Sequence, residues 1–200
     1  SKSFSSTSAW HACLDSDHRL ARRLGLSSGV NARTQALLCG IDGVLFDLDG
    51  LLLDTSGWDP SWTVAAKLAH FENSTACPGA ARFVTELGKR GLPLAIGTSS
   101  DRHFFRAKSS RHPWFAHFRA VVCGDDEGVV RRKPAPDVYW QAARWLGVSP
   151  ARCLVFEDSA VGIEAARRAR VARIVAVGHA ARATRAIHSS FSSFQDLCGE

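Results

Sequence analysis

From Ile41 onward, short apolar runs alternate with segments of helical period. Val44-Leu45-Phe46 is an uninterrupted apolar run that stops at Asp47, the pattern of a strand buried on both faces. Residues 60–71 place apolar side chains at 62, 64, 65, 68 and 69, which predicts an amphipathic helix opened by Asp59 with Pro60 at its first position. A second helix is predicted over 78–90, with Gly91 placed to end it, and a strand over 92–97. Two further apolar runs, Val121-Val122-Cys123 and Leu154-Val155-Phe156, each lead straight into acidic residues. Helices are predicted over 136–146, stopped by Gly147, and over 160–168, and a fifth strand over 174–177. Apolar strands alternating with helices imply βαβ units. The expected fold is therefore α/β, with a central parallel sheet covered by helices on both faces in three layers.

Chemistry-bearing residues cluster where the strands are predicted to end. Ligands of open parallel sheets bind outside the carboxyl ends of the strands. Asp47, Asp49, Thr98, Asp125, Glu157 and Asp158 all follow predicted strands, so the topology is expected to gather them at one edge. In Phe46-Asp47-Leu48-Asp49-Gly50, one carboxylate can attack an electrophile or hold a hard cation while the other moves a proton. Taken alone, the same residues serve an ordinary turn equally well. Glu157-Asp158 is a second acidic pair suited to Mg²⁺, while Asp158 or Ser159 could instead, or as well, cap the following helix. Lys133, between Arg132 and Pro134, can meet a phosphate, offset carboxylate repulsion, or belong to a solvated basic loop. Thr98-Ser99-Ser100 offers hydroxyls and backbone N–H groups to a phosphate, or a plain helix cap.

Composition narrows the class. The chain has 200 residues, 46% hydrophobic and 22% charged, which suits one ordinary core and excludes wholesale disorder. No apolar run reaches the ~18 residues of a membrane-spanning helix, so no membrane partner is expected. The net charge of +6 favours encounters with phosphate-bearing partners. Arginines around 167–173 read as a solvated helix face, and no nucleic-acid module accompanies them, so no nucleic-acid partner is expected. Six cysteines without a C-x-x-C pair read as buried small hydrophobes of a reducing compartment, which points to the cytoplasm. The first 36 residues are Ser- and Arg-rich and poor in acids. They read as an N-terminal extension, either disordered or an organellar transit segment for chloroplast or mitochondrion.

Four motifs occur in order: FDLDGLLLDT at 46–55, AIGTSS at 95–100, RRKPAPDVY at 131–139 and LVFEDSAVGIEAA at 154–166. They resemble the motifs of the haloacid dehalogenase superfamily of phosphohydrolases, over about residues 41–178. Within it, residues 78–87 and 110–126 are similar to the subgroup of pseudouridine-5'-phosphatase, glycerol-3-phosphatase and FMN hydrolase. The resemblance implies a Rossmann-like three-layer core over 37–200, acting as a Mg²⁺-dependent phosphatase on small phosphomonoesters such as sugar or nucleotide monophosphates. It implies Asp47 as nucleophile and Asp49 as general acid and base. Mg²⁺ would be held by Asp47, the Asp49 carbonyl and Asp158, with Glu157 in support. Thr98 and Ser99 would bind the phosphate, and Lys133 would neutralise charge and orient Asp47. A monomer or weak homodimer is expected.

The chain also departs from that pattern. Only 48 residues separate Asp49 from Thr98, where the subgroup inserts a multi-helix cap. What remains, about 56–76, has room for one helix and two loops as a reduced cap. Such a protein could act on large or protein-bound phosphates, close its site with a partner subunit, or be a truncated variant with weak or no turnover. The alternative function is a non-catalytic phospho-ligand-binding or scaffold protein. Trp58, Trp62 and Phe71 in this segment could cover core, line the mouth or form a dimer contact. Arg170 stands where relatives usually carry a helix-ending glycine.

Overall fold

The computed structural model describes residues 30–178 and 188–199. Helix α1 (Ala32–Leu38) is capped by Asn31, whose side chain accepts from Thr34 N–H, and is followed by strand β1 (Gly43–Phe46). Strands β2 (Leu53–Asp54) and β3 (Thr75–Ala76) pair antiparallel and flank helix α2 (Val64–Phe71). Helix α3 (Ala80–Lys89), strand β4 (Leu94–Gly97), helix α4 (Arg102–Ser109) and strand β5 (Ala120–Val122) come next. Helix α5 (Asp137–Leu146), strand β6 (Cys153–Glu157), helix α6 (Ala160–Arg168), strand β7 (Arg173–Val177) and strand β8 (Ser189–Phe191) complete the order.

Six strands form one parallel sheet in the order β5-β4-β1-β6-β7-β8. This is the three-layer α/β arrangement expected from the alternation of runs. The chain builds outward from β1 through β4 to β5, then returns to the other side of β1 with β6. That reversal opens a crevice at the carboxyl ends of β1 and β6. Alternation along β1 sends Val44 and Phe46 into one apolar layer and Leu45 into the other. In the first layer Phe46 stacks on Phe156, with ring centroids 5.2 Å apart. In the second, Leu45 and Val155 meet Tyr139 and the alanines of α5 and α6.

Several expectations change. Helix α2 begins at Val64, not at Pro60, because Thr63 supplies the cap to Ala66 N–H. Asp59 instead closes a local turn, accepting from both the N–H and the hydroxyl of Ser61 at 2.7 Å. Packed structure begins at the fully buried Val30, ahead of residue 37. The Ser-rich leader as far as residue 29 lies outside the described residues. The all-thiol expectation fails at Cys39, which is disulfide-bonded, whereas Cys77, Cys123, Cys153 and Cys198 are free. No helix among the described residues is long and apolar enough to cross a membrane.

Candidate active site

The register of the central strands sets the site. Phe46 pairs with Phe156 and Ile96, so the next residues, Asp47, Glu157 and Gly97, emerge side by side at the carboxyl edge. Asp47 is buried, and Lys133 Nζ reaches its Oδ1 at 2.5 Å. The same ammonium lies 2.5 Å from Glu157 Oε1 and 2.9 Å from the Tyr139 hydroxyl. Glu157 is fully buried and both its oxygens are engaged. Oε1 also accepts from Tyr139 at 2.5 Å, and Oε2 accepts from the Ser159 hydroxyl at 3.0 Å. Lys133 therefore bridges two buried carboxylates. Burial alone would lower its pKa, but Asp47 and Glu157 overcome that and raise it to about 12.

Three carboxylates converge here: oxygens of Asp47, Glu157 and Asp158 lie within 4.8 Å of one another. Asp158 Oδ1 is buried without a hydrogen-bond partner. Burial, with Glu157 adjacent, pushes Asp158 up to about 6. Burial likewise drives Asp47 well above the ordinary carboxylate range, with Glu157 and Asp49 adding to the rise despite Lys133. Excess negative charge beside an orphaned carboxylate oxygen fits a hard divalent cation with oxygen ligands. Ser159 caps α6, accepting from Gly162 N–H, as one half of the capping expectation had it, and Asp158 is left to the carboxylate cluster.

Asp49 sits in a different environment. Its Oδ2 accepts from the Ser100 hydroxyl at 2.7 Å and the Thr98 hydroxyl at 3.3 Å, and its Oδ1 faces Lys108 Nζ at 2.5 Å. Burial opposes ionisation of Asp49, but Lys108 and the hydroxyls of Ser100 and Thr55 outweigh it and hold the carboxyl below its ordinary range. Gly50 follows with φ +79°, and a Cβ there would lie 2.3 Å from Asp158 Oδ2. Only glycine permits both that backbone conformation and that approach. A cavity of about 380 Å³ opens over Asp49. Ser99, Ser100, Lys108 and Arg132 form its core side, and Trp58 and Phe71 form its wall from the segment between β2 and β3.

The site thus joins Asp47, Asp49, Thr98, Lys133, Glu157 and Asp158. Ser99 borders the cavity, and its carbonyl accepts from Arg132. Asp125 stands apart: its Oδ1 accepts from Arg102 N–H at 2.7 Å and so caps α4. Thr98-Ser99-Ser100 does not cap that helix, whose N-cap position is Asp101. Sequence reasoning missed Lys108 and Tyr139 as members of the site, and gave Ser100 to a phosphate or a helix cap, not to the Asp49 carboxylate it binds. Tyr139 ends the stretch RRKPAPDVY at 131–139, where the burial of its hydroxyl leaves no mark on the sequence. Lys108 reads as one of several helix-surface cations.

A parallel α/β sheet whose central strand ends carry an acid cluster bridged by one buried lysine defines the class of protein. The chain belongs to the haloacid dehalogenase-like hydrolase family, whose model matches residues 58–170, a span that includes Thr98, Lys133, Glu157 and Asp158. Among curated relatives, the bifunctional riboflavin kinase/FMN phosphatase of Arabidopsis thaliana is 37% identical over 101 residues, 50% of this chain and 26% of the relative. A probable pseudouridine-5'-phosphatase of Drosophila melanogaster is 41% identical over 101 residues, 48% of this chain and 44% of the relative. The chain therefore spans less than half the length of these relatives. The crystal structure of CbbY from Rhodobacter sphaeroides in complex with phosphate shares the fold, with a TM-score of 0.65 at 24% identity over 78% of this chain and 96% of that one.

Proposed function

We propose that this protein is a Mg²⁺-dependent phosphatase of small phosphomonoesters, sugar or nucleotide monophosphates such as pseudouridine 5'-phosphate, working through an aspartyl-phosphate on Asp47. The names of the phosphatase relatives support the reaction class. The observation that carries the reading is the pair Asp47 and Asp49, two residues apart yet each held by its own lysine, Lys133 and Lys108.

Asp47 attacks phosphorus and the bond to the leaving oxygen breaks. Lys133 holds the attacking carboxylate in place and offsets the charge of the incoming phosphate. Asp49 delivers a proton to the leaving oxygen. An ester bound as its monoanion carries such a proton, since the second phosphate pKa is about 6. In the second half Asp49, again a carboxylate, takes a proton from the water that attacks the acyl phosphate. Thr98 and Ser99 hold phosphoryl oxygens. Asp47, Asp158 and the Asp49 carbonyl would hold Mg²⁺, with Glu157 supporting the site through Lys133. When bound, the ion supplies positive charge that lets an anionic nucleophile meet an anionic phosphate. The hydrolase core in this reading begins at Val30, with about 56–76 as a reduced cap.

Phosphate release from a panel of small phosphomonoesters, with and without Mg²⁺, tests the proposal. Mg²⁺-dependent turnover that disappears in Asp47→Asn is expected. No release above the Asp47→Asn background on any substrate would overturn it.

A further inference from the structure

Lys108 is one of very few charged side chains buried among the described residues, at 4% exposure, and the catalytic scheme above makes no use of it. It lies in the last turn of α4, where a lysine normally extends into water. Here its Nζ turns inward and contacts Asp49 Oδ1 at 2.5 Å and the Ser100 hydroxyl at 2.8 Å. Ser100 in turn donates to Asp49 Oδ2 at 2.7 Å. Ammonium, hydroxyl and carboxylate thus close a ring that fixes both oxygens of Asp49. The open side of the ammonium is covered by the Phe71 ring, whose centroid is 4.2 Å from Nζ. Phe71 belongs to α2 and is locked edge-on against Phe104 of α4, 5.4 Å between centroids.

A buried ammonium must be compensated on every side. The carboxylate, hydroxyl and aromatic face do so here, and the same three groups leave Lys108 one position to occupy. Asp49 is itself only partly buried and borders the cavity, and outside this ring it is held by hydroxyls alone, those of Thr98 and Thr55. We propose that Lys108 is a positioning residue: held by Phe71, it keeps the Asp49 carboxylate aimed at the attacking water in the second half of the reaction. The inference rests on the phosphatase reading above and assigns the segment between β2 and β3 a task in catalysis, delivered through Phe71.

The test is pre-steady-state release of p-nitrophenol from p-nitrophenyl phosphate with Mg²⁺. This leaving group departs without a proton, so formation of the acyl phosphate does not need Asp49, whereas its hydrolysis does. Lys108→Met is expected to show a burst near one equivalent, followed by a steady rate reduced about tenfold or more, because general-base assistance is worth ~10²–10⁴-fold when intact. Lys108→Arg should recover part of the steady rate. Ser100→Ala, which leaves the buried charge paired, should show the same pattern more weakly and serves if Lys108→Met does not fold. A burst and a steady rate that fall together in all three variants, or an unchanged steady rate, would overturn the proposal. Wild-type release no greater than that of Asp47→Asn would instead overturn the phosphatase reading itself, and this inference with it.

Discussion

Glu157 rests directly against Gly162: a Cβ built on that glycine would lie 1.7 Å from Glu157 Oε1. The glycine sits inside α6, where alanine is intrinsically better by about 1 kcal/mol. Propensity and packing therefore pull in opposite directions. Glu157 cannot yield, because Lys133, Tyr139 and Ser159 hold both its oxygens. Gly162→Ala should lower stability by about 1–3 kcal/mol, an overpacking cost that exceeds the gain in propensity. Urea unfolding midpoints check this, and phosphatase activity should fall with them.

Lys133→Met should be more damaging than any neighbouring substitution. It leaves Asp47 and Glu157 as two buried carboxylates without their shared cation. Breaking a buried pair by removing one partner typically costs about 3–5 kcal/mol. Loss of turnover together with a thermal midpoint lowered by many degrees is expected. Retained midpoint and activity would show that Lys133 does not bridge the pair.

Asp158 predicts an inverted pH dependence in the metal-free protein. Its pKa is about 6 in the folded chain against an ordinary 3.8, so between those values the folded state binds more protons than the unfolded one. Stability from this group is present at low pH and falls as pH rises through about 6. A cation that replaces the proton reverses this. Thermal midpoints across pH 4–7 should show stabilisation by added Mg²⁺ that grows with pH, and Asp158→Asn should flatten both trends.

Arg170 follows the end of α6 with φ +57°, in the left-handed region that glycine usually fills. An L-residue there costs roughly 1–2 kcal/mol, while glycine costs part of that back through the freedom of the unfolded chain. Arg170→Gly should stabilise by about 0.5–1 kcal/mol without changing turnover, measured by chemical denaturation and by the phosphate assay.

The sheet and the acids at its edge were legible because buried parallel strands announce themselves as short apolar runs, and the residue after each run falls at the ligand-binding edge. Asp47, Glu157 and Asp158 were found in that way. Asp125 followed the same rule but was claimed by a nearer demand, the unpaired N–H of Arg102 at the start of α4. Helix α2 was misplaced at its start because Asp59-Pro60 and Thr63 both signal an N-terminus, and only local geometry decides between them. Lys108 was illegible for another reason. Its helix carries Arg102, Arg106 and Lys108 together, and nothing in that spacing says which cation faces Asp49. That depends on β4 lying beside β1, a relation across about a quarter of the chain.

The pairing of Phe46 with Phe156 has a consequence for folding fidelity. Glu157 and Asp158 are consecutive, and successive strand residues face opposite ways. A slip of β6 by one residue would offer Lys133 the wrong acid and turn the apolar layers inside out. A misregistered molecule could remain collapsed and helical yet hold no site at all. For this chain, specific activity is therefore a more sensitive gauge of correct strand alignment than any measure of compactness or helix content.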